Sequence, residues 1–204
     1  MNIDASVNRR ILQFVEDNFT AGYPVIADFS TSEFSFKEYF RFDQFLKSEV
    51  REDEEDIRLC YEEQEFKKHT VDLIVAFDTF TGVHNLRKTI KAMTRALKPG
   101  GEIFLAIPFL APENAQREDL HRLSLAGIKE YLKGFELIAV EKAGNSAYTA
   151  YKIFAESARS FLRKVRLAIL NIFYLPFLNL TYFKRRCAED DVMYYKVLVK
   201  AVKR

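Results

Sequence analysis

Side chains that could carry chemistry are few in this chain of 204 residues and lie scattered along it. Asp78 and Thr79 directly follow the apolar run VDLIVAF of residues 71–77. If that run is a strand of an open α/β sheet, the pair sits where ligands bind, outside the carboxyl ends of the strands. Both are therefore candidates to line a cleft. His84 is a lone imidazole in the loop that follows, a place more often held by a surface or capping residue than by a catalytic base. Asp119 and Arg122 stand at i, i+3, so on a helical turn they can face each other as an ion pair. His121, between them, is a further candidate for the same cleft. Neither Cys60 nor Cys187 belongs to a disulfide framework or a metal-ligand spacing. Cys60 reads as a small buried apolar side chain, not a reactive thiol.

The elements that must position these groups centre on residues 71–108. The run 71–77, rich in Val and Ile and broken only by Asp72, suits a strand buried on both faces of a parallel sheet. Residues 85–97 place Leu86, Ile90, Met93 and Leu97 on one helical face with basic residues between them. Lys98-Pro99-Gly100-Gly101 ends that helix, because proline cannot continue it and the glycines permit a tight reversal. Residues 102–107 form the next strand. Strand, crossover helix and strand make a right-handed βαβ unit in a parallel sheet. Before it, residues 6–19 predict an amphipathic helix and 25–29 a short strand. The acidic run EVREDEED (49–56) reads as a solvated loop. After it, 124–132 is a helix capped by Ser124, 135–141 a strand, and 192–202 the closing strand.

Composition narrows the class. Hydrophobic residues at 49% and charged residues at 29% are globular values, and the length suits one domain over 1–204. Lys+Arg 31 against Asp+Glu 29 leaves a net charge of +2, which argues against a general nucleic-acid binder. The cysteine usage fits a reducing compartment, and the first residues lack the apolar core of a signal peptide. A cytoplasmic location is the expectation.

Three stretches, VDLIVAFDTF, TRALKPGGEIFLAIPF and EDLHRLSLAGIKEYLKGFELIAVEKAG, together resemble the second half of a class I S-adenosylmethionine (SAM) methyltransferase. The resemblance extends over roughly residues 25–144. It implies a Rossmann-like α/β fold, a three-layer sandwich around a mainly parallel sheet whose last strands form an antiparallel hairpin. It also implies where SAM would lie. In the family a glycine-rich turn follows the first strand, and here Ser30 and Ser32 hold the glycine positions, with Asp28 matching the acidic residue before them. A short helix then leads into the second strand, which ends on an acidic residue gripping the ribose; Asp43 is the nearest candidate and Glu49 a poorer one. The aspartate that contacts adenine falls at Cys60. Phe80-Thr81-Gly82 replaces a Leu-Glu-His sequence of many relatives, and Asn114 stands where they carry a histidine. Asp119 and Arg122 keep the family's DxxR spacing.

The last quarter is less standard and reads as a helical apolar insertion around 148–190 before the closing strand. Residues 148–166 are helical in pattern and basic. They lead into the apolar stretch 167–183, which is interrupted by Pro176, Asn171 and Asn179 and flanked by further basic residues. A lid over the cleft, a homodimer interface and a peripheral membrane contact are all compatible with that stretch. For the whole chain two functions stand open. One is SAM-dependent methyl transfer to a small molecule or an amphiphile. The other is a catalytically inactive binding or assembly module on the same fold, with SAM bound weakly or not at all.

Overall fold

The structure is a computed structural model; it describes residues 4–31, 37–52, 57–62, 64–111, 118–144, 146, 148–150, 153 and 194–204. Six strands form the main sheet: β1 (Gly22–Asp28), β2 (Arg41–Lys47), β6 (Val71–Phe77), β7 (Leu97–Pro108), β8 (Phe135–Ala143) and β9 (Lys196–Lys203), in the order β2-β1-β6-β7-β9-β8. β1, β2, β6 and β7 pair in parallel, whereas β9 runs antiparallel to both β7 and β8. The mainly parallel sheet and the terminal antiparallel hairpin are thus as the sequence implies. The order reverses between β1 and β6, since the chain leaves β1 for β2 on one side and returns to β6 on the other. That point is the topological switch of the sheet.

Helix α1 (Asp4–Asn18) covers one face. Val7, Ile11, Phe14 and Val15, at i, i+4, i+7 and i+8, are buried against Leu73, Val75, Phe77 and Phe104. Phe104 is the centre of that layer: Phe14 stacks on it at 5.3 Å, Phe19 lies at 4.8 Å and Phe77 meets it edge-on at 4.7 Å. Much of the chain's phenylalanine is spent in this way on packing. Helices α2 (Leu86–Ala96) and α3 (Leu125–Tyr131) cover the opposite face, where Ile90, Met93 and Ile128 join the core. Asn85 caps α2 through a bond accepted from the Lys88 N–H, and Ser124 caps α3 through one from the Gly127 N–H. The result is three layers.

Pro99, Gly100 and Gly101 do not lie between elements. They fall inside the long strand β7, at an irregularity where Val71 pairs with Leu97 but Leu73 with Glu102. Gly100 takes φ +72°, and a Cβ on Gly101 would come within 2.9 Å of the Lys98 carbonyl. Asp72, the one polar residue of β6, accepts the Val25 N–H at 2.9 Å and both bonds of the Lys98 ammonium.

The larger departure from expectation is a second sheet. β3 (Glu49–Glu52), β4 (Ile57–Tyr61) and β5 (Gln64–Glu65) form an antiparallel unit, whose first strand falls within the run 49–56 that the sequence reads as a solvated acidic loop. Ile57 and Leu59 are buried, and with Phe66 they pack into the α2 side of the core. Burial of alternate residues holds the strand down, whatever the charge of its neighbours. Between β1 and β2 the described helical structure is one 3-10 turn, Lys37–Tyr39. The apolar stretch 167–183 lies outside the described residues, and so does most of the insertion expected around 148–190. Among the described residues no helix is long and apolar enough to cross a membrane.

Candidate functional site

At the carboxyl edge of the sheet, β1 runs on past Asp28 alongside β6. The Phe29 N–H donates to Val75 O at 2.8 Å and the Thr31 N–H to Phe77 O at 3.0 Å, continuing the ladder beyond the strand. Side chains add to it. The Phe77 N–H donates to Ser30 Oγ at 3.2 Å, and Thr79 Oγ1 donates to Phe29 O at 2.8 Å. Ser30 and Thr79 are both buried. The switch point is therefore laced by hydroxyls from both sides.

Asp28 is buried, with each carboxylate oxygen engaged. Oδ1 accepts the Ser30 N–H at 2.9 Å, and Oδ2 accepts the Lys47 ammonium at 3.0 Å. The same ammonium donates to Ser30 O at 2.7 Å. Lys47 is the last residue of β2 and stands opposite Asp28 in the register. A cation thus occupies the place at the end of β2 where the resemblance implies an acid.

Asp78 follows β6 in the left-handed region at φ 58°. It sits at the N-cap of the 3-10 turn Thr79–Thr81, but its side chain caps nothing. Its Oδ2 instead accepts the ammonium of Lys196, the first residue of β9, at 2.7 Å. Its Oδ1 is buried and has no hydrogen-bond partner among the described residues. Asp28, Ser30, Asp78 and Thr79 are thus brought to one edge of one sheet.

Asp43 is not. It is exposed in the middle of β2, four residues ahead of the strand's carboxyl end. The first carboxylate beyond that end is Glu49, which pairs with Arg51. Cys60 is buried in the small sheet, opposite Glu49 on one side and Glu65 on the other. Burial pushes its thiol pKa up, against the lowering influence of Arg51 and Arg58. That is the opposite of an activated thiol. Ser32 lies outside the described residues.

The roof of the edge is built from residues 118–123. The N–H groups of Leu120 and His121 both donate to Thr81 O, at 2.6 and 3.2 Å. Arg122 pairs with Asp119, whose side chain is 4% exposed, so the DxxR spacing does form an ion pair. His121 Nε2 lies 2.9 Å from Val83 O, and His84 Nε2 lies 2.9 Å from a Glu118 carboxylate oxygen. Glu52, on β3, accepts the N–H groups of His84 and Asn85 and so supplements the cap of α2. Among the described residues no group of three or more His, Cys, Asp or Glu is placed to hold a metal.

Sequence reasoning missed Lys47, Lys196 and Glu52. Each acts on a distant partner through strand register or sheet order, for which no local spacing gives a signal.

Comparison with known proteins agrees with this architecture. Residues 2–140 match the profile of the methyltransferase domain. The chain belongs to that family. No curated protein sequence matches it. Among solved structures, a Listeria monocytogenes protein proposed as a SAM-dependent methyltransferase is similar over 100% of both chains, with a TM-score of 0.56 and 11% identity. A SAM-dependent methyltransferase from Mesorhizobium loti gives a TM-score of 0.54 at 12% identity, over 99% of this chain and 100% of that one. Geranyl diphosphate C-methyltransferase from Streptomyces coelicolor A3(2), in complex with Mg2+, geranyl diphosphate and S-adenosylhomocysteine, gives 0.51 at 12%, over 96% and 77%. At such identities the likeness is one of fold.

Proposed function

We propose that this chain is a SAM-dependent methyltransferase acting on a small molecule or an amphiphile, with a cofactor crevice closed by its own Lys47 and hence a weak affinity for SAM. The observation that carries this proposal is the placement of Asp28, a buried carboxylate at the switch point of a methyltransferase-family sheet, with Lys47 against it. Asp28 fits a ligand with cationic groups, and the Ser30 hydroxyl is engaged by the Phe77 N–H. Asp28 would hold the cofactor's charged end once Lys47 swings out, and Thr79 and Asp78 would line the crevice beyond it. SAM supplies an electrophilic methyl group when bound. The chain's own part is to bind and orient the two reactants, since proximity carries most of the rate in such a transfer.

A non-catalytic binding or assembly module is the alternative, and one observation favours it. The hydroxyl bridges from Ser30 to Phe77 and from Thr79 to Phe29 draw β1 and β6 together across the crevice itself. Isothermal titration with SAM and S-adenosylhomocysteine separates the two. Weak but saturable binding that improves when Lys47 is removed supports the enzyme; no binding to either protein supports the module.

For the apolar stretch 167–183 we assign a lid role, ahead of a homodimer interface or a peripheral membrane contact. Flotation with anionic and neutral liposomes, together with sizing of the lipid-free protein, tests that choice. No flotation and a monomeric elution are expected.

A further inference from the structure

Helix α2 turns a purely cationic face to solvent. It carries Arg87, Lys88, Lys91 and Arg95 and no acid. These charges exceed the net +2 of the whole chain, which leaves the rest of the chain net acidic. All four residues are exposed, and at i, i+1, i+4 and i+8 they share one sector of about 100°. Leu86, Ile90, Met93 and Ala96 fill the opposite side, against the core. Along the sector Arg87, Lys91 and Arg95 follow at one-turn intervals, about 6 Å apart. Exposed Lys67 and Lys68 stand at the helix's carboxyl end, held there because the His69 N–H donates to Arg95 O at 3.1 Å.

Little within the molecule neutralises this face. Lys67, Lys68 and Lys91 have no ion-pair partner among the described residues. Arg87 lies over the Tyr131 ring of α3 at 5.6 Å, a contact that steadies the guanidinium without cancelling its charge. Arg95 is paired: a carboxylate oxygen of Glu65, on β5, lies 3.2 Å from it, with both side chains nearly half exposed. The anion that this face takes within the chain is thus a protein carboxylate.

The surroundings narrow the partner further. A helix lying on lipid inserts apolar side chains, and a single-stranded nucleic acid stacks its bases on free rings. The exposed large hydrophobic residues are Tyr39, Leu120, Ile138 and Ile153, none of them on α2 or within residues 64–70. A helix with carboxylates at i, i+4 needs neither feature, and it repeats at the same one-turn interval as the three cations.

We propose that the basic face of α2 is a docking surface for an acidic helical segment of a partner protein. Arg87, Lys91 and Arg95 each meet a carboxylate of that segment, and Glu65 gives up Arg95 to it. None of these residues belongs to the switch-point edge, so the docking surface stands whether or not the chain transfers methyl groups.

The test titrates a synthetic peptide, four repeats of Glu-Ala-Ala-Ala with blocked ends, into the isotope-labelled full chain and follows amide shifts by NMR. Binding should be weak, with a dissociation constant on the order of 1 mM, as three or four exposed pairs permit. Shifts should gather at Arg87, Lys91 and Arg95, and raising salt from about 50 to about 300 mM should weaken binding several-fold. Lys91→Glu, an exposed change that leaves the core untouched, should abolish it. Glu65→Gln, which releases Arg95, should tighten it about twofold. A peptide of the same composition with its glutamates contiguous should bind more weakly. Pentauridylate, with four phosphates, and phosphatidylserine vesicles are titrated alongside. Binding of either at least as tight as that of the peptide would overturn the proposal in favour of a nucleic acid or a lipid surface. Absence of peptide binding, or binding unchanged by Lys91→Glu, would leave α2 with a solvated face only.

Discussion

The ammonium of Lys47 stands 3.0 Å from Asp28 Oδ2 and 2.7 Å from the Ser30 carbonyl, bridging the end of β2 to the turn after β1. A cationic ligand at Asp28 must displace it. Lys47→Met should therefore tighten SAM binding. The lysine side chain is 64% exposed, so the gain is modest: two- to fivefold, up to about 1 kcal/mol for a solvent-screened pair. Isothermal titration of the native and variant proteins measures it. Unchanged or weaker affinity would mean that Lys47 does not compete with the cofactor.

Restoring glycine to the cofactor turn carries a structural cost. Ser30 Oγ accepts the buried Phe77 N–H, and removing it takes away that acceptor. Ser30→Ala should lower stability by about 1–3 kcal/mol. Ser30→Gly should add roughly 0.5–1 kcal/mol to that loss through backbone entropy. Urea denaturation reads both, independently of any change in ligand affinity. A loss below about 0.5 kcal/mol for Ser30→Ala would refute the bridge.

Alkaline stability should depend on Tyr23. Its hydroxyl donates to Glu102 Oε2 at 2.6 Å, and burial first, then that bond and the charge of Glu102, raise its pKa well above the ordinary tyrosine value. The folded state thus holds this proton after the unfolded chain has released it. Stability is complete below the unfolded value of about 10 and falls as pH rises past it. Tyr23→Phe should cost about 1 kcal/mol at neutral pH and flatten the decline above about pH 10. Denaturant midpoints measured on both sides of that pH test it; parallel curves for the two proteins would be the contrary result.

Glu52 joins the small sheet to the main fold. Its two oxygens accept the N–H groups of His84 and Asn85 at 2.8 and 3.3 Å. Glu52→Ala should cost about 0.5–2 kcal/mol, the range for loss of a helix cap. It should also speed amide exchange at the start of α2. Unchanged exchange there would mean that Asn85 alone holds the helix end.

The sequence by itself determined the elements whose patterns are local. The β6–α2–β7 unit follows from an apolar run, a helical face of Leu86, Ile90 and Met93, and a glycine pair that admits φ +72° at Gly100. The cap at Ser124 and the Asp119–Arg122 pair were legible because each joins residues three positions apart, although the pair lies in the irregular segment ahead of α3 and not on a helical turn. Asp78 and Thr79 could be set at a strand end because strand ends are visible in hydropathy, whereas Asp28, read as lying inside the strand 25–29, is the last residue of β1. What those residues meet was decided only by the tertiary structure. Lys47 faces Asp28 through strand register, Ser30 reaches Phe77 across the sheet, and Lys196 reaches Asp78 from the last strand, 118 positions away. Asp43 read as the acid of β2 because it is the nearest carboxylate in sequence; register puts Lys47 at the strand's end instead. The first strand of the small sheet was hidden likewise, its charged residues reading as part of the loop 49–56, although it pairs with the strand whose Ile57 and Leu59 pack on the α2 side of the core. Periodicity is a property of one segment, whereas register and sheet order are set by the packing of all segments at once.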